Sequence, residues 1–153
     1  MNLTLRSLTP DDEAWLDAWY PAAVARFDYN CADAAALLRC GAGDKQFQAR
    51  VIASGATDVG LIAYRLRTPK DYGGQFELVL TPPEHARKGA GMAAAALAEQ
   101  EMRAADMLET YAPAPAINGI SMYFWIRLGY APLMRDAWPC DSNGVAWLKR
   151  SLL

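Results

Sequence analysis

The residues best placed to do chemistry lie in one stretch, Gln75 to Arg103, QFELVLTPPEHARKGAGMAAAALAEQEMR. Arg87, Lys88, Gly89, Ala90 and Gly91 run directly into Met92, Ala93 and a chain of strong helix formers, so the glycines fall where a helix N-terminus exposes unpaired backbone N–H groups. Such an end binds anions, and glycines, lacking Cβ, let a phosphate approach the backbone closely. Arg87 and Lys88 add positive charge at the same place. Residues 87 to 93 are therefore predicted to hold the phosphates of a cofactor.

The element before this loop must aim it. Phe76, Leu78 and Leu80 alternate with Gln75, Glu77 and Val79, a period of two that turns one apolar row of a strand toward a core. Pro82 and Pro83 end that strand.

From strand to helix this stretch resembles the acetyl-CoA-binding signature of the GNAT superfamily of N-acetyltransferases, whose loop reads Gln or Arg, two residues, Gly, one residue, then Gly or Ala. Two registers fit. Ala86 takes the Gln/Arg position with Gly89 and Gly91 following, or Lys88 takes it with Gly91 and Ala93 following. A second stretch, Asn118 to Tyr130 (NGISMYFWIRLGY), is similar to the other motif of the family, with Asn118, Ser121, Phe124, Trp125, Gly129 and Tyr130 at its positions in order.

The resemblance implies a three-layer α/β/α acyl-CoA N-acyltransferase fold with a central mixed, mostly antiparallel sheet, spanning residues 1–153 as a single domain. It further implies transfer of an acetyl group from acetyl-CoA, as cosubstrate, to a primary amine of a small molecule or peptide by direct attack in a ternary complex. In that family the strands at Gln75 and Met107 splay and the pantetheine arm enters the gap. Backbone groups of Leu78, Val79 and Leu80 would pair with the arm as a strand would. Asn118 would hydrogen-bond to it, and Trp125 would help bind the cofactor.

Acetyl transfer needs a neutral amine, a polarised thioester carbonyl and a proton for the departing thiolate. Glu77 stands where relatives often carry a glutamate and is the candidate base. The backbone N–H near Leu80 would polarise the thioester oxygen. Many relatives place a tyrosine as general acid where this chain has Trp125, and an indole N–H cannot supply that proton. Tyr123 is the candidate acid in its place, with Tyr111, Tyr130 and Ser121 as others, while a thiolate that leaves without an acid stays open. The acceptor would be bounded by Trp15 to Asp33 and by Asp136 to Gly144. Asp28, Asp33, Asp136 and Asp141 lie there beside Trp19, Phe27, Tyr29 and Trp138, a set that suits a cationic amine or, as simply, an acidic surface over an aromatic core. The alternative function is a non-catalytic acyl-CoA-binding sensor or partner domain of the same fold. A homodimer is left open.

A dinucleotide-binding reading of the same glycines is weaker. Gly89, Gly91 and Ala94 satisfy Gly-x-Gly-x-x-Gly/Ala, with Glu109 about twenty residues on, but Thr81 to Lys88 separate the strand from the first glycine that should follow it directly.

Composition sets the remaining bounds. A chain of 153 residues, 53% hydrophobic and 21% charged, suits one soluble domain with a sizeable core. A net charge of −2 with scattered Lys and Arg gives no footprint for a nucleic-acid partner. Apolar runs stay short of a membrane span and MNLTLRSLTPDDE lacks a signal-peptide pattern, so no membrane partner and a cytoplasmic location are expected. Cys31, Cys40 and Cys140 form no Cys-x-x-Cys pair, which predicts reduced, structural thiols and no metal. His85, the only histidine, lies in a proline-flanked turn and reads as a solvated loop residue.

Along the chain, Leu3 and Leu5 begin a first strand, and Thr9-Pro10-Asp11-Asp12-Glu13 predicts a capped helix from Pro10 to Tyr20, after which Pro21 interrupts the pattern and AAVARFDYN is a candidate second short helix. A helix over Asp33 to Arg39 is ended by Gly41 and Gly43, and residues 46–54 and 58–66 form a hairpin. A strand over Met107 to Tyr111, a proline-interrupted passage APAPAIN, a helix from Asn118 to Leu128, and strands over 131–134 and 145–152 complete the order.

Overall fold

The computed structural model describes residues 2–25, 29, 31–115, 119–140 and 144–153. Seven strands, β1 (Leu3–Ser7), β2 (Phe47–Ser54), β3 (Thr57–Leu66), β4 (Gly73–Leu80), β5 (Glu109–Pro115), β6 (Ala131–Pro132) and β7 (Val145–Ser151), form one sheet in the order β1-β2-β3-β4-β5-β7-β6. The β1/β2, β5/β7 and β6/β7 pairs are antiparallel and β4/β5 is parallel, so the sheet is mixed as expected. The helices are α1 (Glu13–Asp17), α2 (Tyr20–Val24), α3 (Ala34–Gly43), α4 (Ala90–Ala104) and α5 (Gly119–Arg127). The chain groups into two compact units, Met1–Ala63 with Leu78–Leu97 and Tyr64–Glu77 with Ala98–Leu153.

The first unit is built on an apolar cluster that includes Leu16, Tyr20, Val24, Leu37, Phe47, Leu61, Leu78 and Leu80. The buried Tyr20 hydroxyl is satisfied within it, donating to the Cys31 carbonyl at 2.6 Å. Arg6 on β1 donates to Asp12 at 2.7 Å and to Asp58 on β3 at 2.8 Å, and Asp12 also accepts from the Thr9 backbone N–H at 2.9 Å. Burial opposes ionisation of Asp12, but its bonds from Arg6 and Thr9 outweigh it and hold the carboxyl below its ordinary value.

The second unit packs Phe76 against Trp125, with ring centroids 4.9 Å apart, and Trp125 against Tyr130 at 5.0 Å. Both of its helix ends close with the same device. Asp106, at φ 67°, follows α4 while Met107 N–H donates back to the Met102 carbonyl at 2.9 Å. Gly129, at φ 94°, follows α5 while Tyr130 N–H donates to the Trp125 carbonyl at 3.0 Å, so the expected glycine stop is present.

Three boundaries differ from the sequence expectation. The helix expected over Pro10 to Tyr20 is a 3₁₀ turn at Pro10–Asp12 followed by α1, and the candidate second helix, α2, starts at Tyr20 and takes Pro21 into its first turn rather than beginning after it. A proline ring there has no helical N–H to lose, whereas inside a continuous helix it would clash with the carbonyl four residues back. Asp33 caps α3 as a side-chain acceptor of the Ala36 N–H at 2.8 Å, but the helix runs through Gly41 to Gly43. A helix interior tolerates such glycines at about 1 kcal/mol each. The fifth strand starts at Glu109 and continues through Pro113 and Pro115, residues expected to be a loop.

Candidate functional site

In the first unit the apolar row of β4 is where the period of two placed it, with Leu78 4% and Leu80 7% exposed and Val79 half-buried between them. Pro82 is buried and Pro83–His85 form a 3₁₀ turn. Arg87 and Gly89 both take left-handed backbone conformations, at φ 61° and 83°. For a non-glycine residue this is an uncommon, strained conformation of the kind that clusters at ligand clamps. The chain then enters α4, fifteen residues long, directly at Ala90.

The hydrogen bonds at this entry define what the loop offers. The Ala93 N–H donates to the Gly89 carbonyl at 3.2 Å, which makes Gly89 the residue just outside the helix. The amides of Ala90, Gly91 and Met92 therefore lack the carbonyl four residues back that later helical amides use, and they point outward from the helix start. Arg87, Lys88 and Gly89 are exposed beside them and Ala90 is buried. Gly89 is the left-handed glycine, and Gly91 is helical. A Cβ on Gly60 of β3 would stand 2.7 Å from the Leu80 carbonyl oxygen, so the backbone of β3 comes unusually close to the end of β4.

In the second unit Glu77 is ion-paired with Arg65, the guanidinium Nε donating to Oε1, with side chains 10% and 27% exposed. Arg65 was not singled out in the sequence. Its only signal there is its place in the strand preceding the one that bears Glu77. Tyr123 is 60% exposed on α5 and lies under the Arg127 guanidinium, 5.7 Å from its ring centroid. Trp125, two residues on, is 4% exposed and packed among Phe76, Phe124 and Tyr130, the two side chains having opposite surroundings as helical spacing requires. Tyr111 and Tyr130 are also buried, and burial raises both phenols above their ordinary value. Asn118 lies outside the described residues.

Glu99, like Arg65, was not singled out in the sequence. It is 1% exposed on α4, accepts from Arg150 at 2.8 Å and from the Tyr130 hydroxyl at 3.3 Å, and has Arg103 one turn away at 4.0 Å. Burial pushes its carboxyl above the ordinary value against the pull of Arg150 and Arg103. Its position in sequence was the available signal, since it falls on the same face as the fully buried Ala95, Ala98 and Met102.

The segments expected to bound an acceptor contain Trp19, buried with its indole N–H unpartnered among the described residues, and Asp33, engaged as the α3 cap. Trp138 donates its indole N–H to the Leu133 carbonyl at 3.1 Å and sits against Arg135. Asp136 is exposed and Tyr29 packs against the core of the first unit, while Phe27, Asp28 and Asp141 lie outside the described residues. Among the described residues no cluster of His, Cys, Asp and Glu could hold a metal ion, and no helix is long and apolar enough to cross a membrane.

The fold is similar to that of solved acetyltransferase structures. The chain superposes on an acetyltransferase from Thermus thermophilus with TM-score 0.78 at 19% identity, covering 99% of this chain and 97% of that one. It is similarly close to the PaiA N-acetyltransferase of Thermoplasma acidophilum in complex with coenzyme A (0.76, 14%, covering 99% of each). A spermidine N-acetyltransferase from Vibrio cholerae in complex with CoA and spermine matches at 0.76 and 14%, covering 98% and 95%. No model of a known protein family matches the sequence, nor does any curated protein. The fold is thus that of the GNAT acyl-CoA N-acyltransferases, a mixed seven-stranded sheet with flanking helices.

Proposed function

We propose that residues 1–153 act as a single acetyltransferase domain that transfers an acetyl group from acetyl-CoA to a primary amine of a small molecule or peptide. The observation that carries this reading is the entry to α4: a left-handed Gly89, three amides without helical partners, and two exposed cations, Arg87 and Lys88, beside them. Such a helix start holds a pyrophosphate through backbone N–H groups and charge. Ala93 continues the first turn. The acyl-CoA arm would pair with the backbone of Leu78, Val79 and Leu80.

In the reaction the amine nitrogen attacks the thioester carbonyl, the C–N bond forms, the C–S bond breaks, and CoA leaves as thiolate. Glu77, with Arg65 bound to it, takes a proton from the ammonium to give the neutral amine that attacks, the nitrogen sheds its second proton as the amide forms, and Tyr123 is the side chain offered for the thiolate's proton. Similarity to spermidine N-acetyltransferase supports a cationic amine as acceptor, which suits the acidic residues Asp33 and Asp136.

The pairing of Glu77 with Arg65 favours a second reading, a domain that binds acyl-CoA without turnover. Thiol release from acetyl-CoA, followed across polyamines, aminoglycosides, amino acids and N-terminal peptides, separates the two. Amine-dependent release by the wild-type protein is expected. CoA binding without release with any amine would leave the sensor.

A further inference from the structure

β5 lies inside the sheet, between β4 and β7, yet carries prolines at 113 and 115. A proline nitrogen cannot donate, which normally confines proline to sheet edges. The register tells which way the missing donors point. Pro113 stands opposite Trp147 and Pro115 opposite Val145 in the antiparallel pair with β7. Opposite residues in such a pair alternate between exchanging hydrogen bonds and not, and a proline can occupy only the second kind. Ala112 and Ala114 therefore bond to β7, while positions 111, 113 and 115 turn their backbone polar groups the other way. Trp147 corroborates this independently, because its carbonyl accepts from the Leu133 N–H at 2.9 Å on the β6 side, away from β5.

The prolines thus remove donors from the β5 edge that faces β4. On that edge the parallel register pairs Gly73 with Glu109, Gly74 with Thr110 and Gln75 with Tyr111, three residues of an eight-residue strand. The next β5 positions that could donate toward β4, two and four residues past Tyr111, are Pro113 and Pro115.

We infer that Pro113 and Pro115 are positioning residues that set where the β4–β5 ladder ends, by leaving that stretch of β5 with carbonyl acceptors and no N–H. The end of this ladder is then written into the sequence of β5. Under the acetyl-CoA reading, on which only the functional consequence rests, keeping β4 past Gln75 out of the β5 ladder is what leaves it available to an amide-bearing cofactor arm.

The test is the Pro113→Ala/Pro115→Ala double variant of the full chain, with amide hydrogen exchange by NMR and calorimetric titration with CoA. The new amides at 113 and 115 are expected to exchange at least ~100-fold more slowly than in an unstructured chain, as the ladder extends. CoA affinity is expected to fall about tenfold or more, with the melting temperature unchanged or raised. New amides that exchange at unstructured rates in a folded variant would overturn the inference. If the wild type does not bind CoA, the functional reading fails by itself and the exchange rates still decide the role of the prolines. If the double variant does not fold, Pro113→Ala alone is read in the same way.

Discussion

Arg65 Nε donates to Glu77 Oε1 across neighbouring strands, so the carboxylate proposed as catalytic base is already held by a cation at the point where β3 and β4 run side by side. The ion pair fixes the orientation in which the carboxylate meets its surroundings. Glu77→Gln preserves shape and hydrogen bonding but removes the base. It is expected to lower kcat/KM by about 10²–10⁴-fold, with acetyl-CoA affinity within about twofold of wild type. Steady-state rates and calorimetry check this, and an unchanged rate would remove Glu77 as the base.

Arg65→Gln separates positioning from stability. Losing a charged hydrogen bond to a half-buried carboxylate costs about 1–3 kcal/mol, or roughly 2–4 °C in melting temperature per kcal/mol for a chain of this size. Thermal unfolding followed by circular dichroism measures it. A variant as stable as wild type would show that the ion pair adds no net stability.

Gly60 faces the Leu80 carbonyl so closely that a methyl group has no room, since its Cβ would stand 2.7 Å from that oxygen. The obstacle is backbone and cannot swing aside as a side chain would. Gly60→Ala is expected to cost about 1–3 kcal/mol and to displace the end of β4. Because Leu80 N–H is the proposed oxyanion donor, kcat should fall more than acetyl-CoA affinity.

Glu99 gives a pH prediction with a definite sign. Its carboxyl is raised from an ordinary 4.5 by burial, so the folded state binds its proton more readily than the unfolded chain does. Stability from this group is fully present below the unfolded value and is lost as pH rises from 4.5 through the folded value. Glu99→Gln lacks this loss. The melting temperature of the variant minus that of the wild type should therefore increase as pH is raised above 4.5, and a difference that is flat or falls would contradict the assignment.

Much of this was legible in the sequence where local rules govern. The alternation in β4, the helix start after Gly89 and the glycine stop at Gly129 follow from period and turn chemistry, and all three stand in the structure. What failed did so where tertiary context wins. Proline reads as a strand breaker, and only the alternation of the β5/β7 ladder reveals that Pro113 and Pro115 sit at positions needing no donor there. The partner of Glu77 and the burial of Glu99 depend on contacts between distant parts of the chain, Arg65 and Arg150, that no window of sequence contains.

The most direct test of the central claim is calorimetric titration with acetyl-CoA of the wild type and of Gly91→Val, with CoA and NAD as controls. Gly91 lies in the first turn of α4, where a branched side chain would cover the outward amides. Micromolar binding of acetyl-CoA and CoA but not NAD, lost in Gly91→Val while the variant stays folded, is the predicted result. Binding of NAD alone, no binding by the wild type, or full affinity in Gly91→Val would contradict the placement of the cofactor phosphates at this helix.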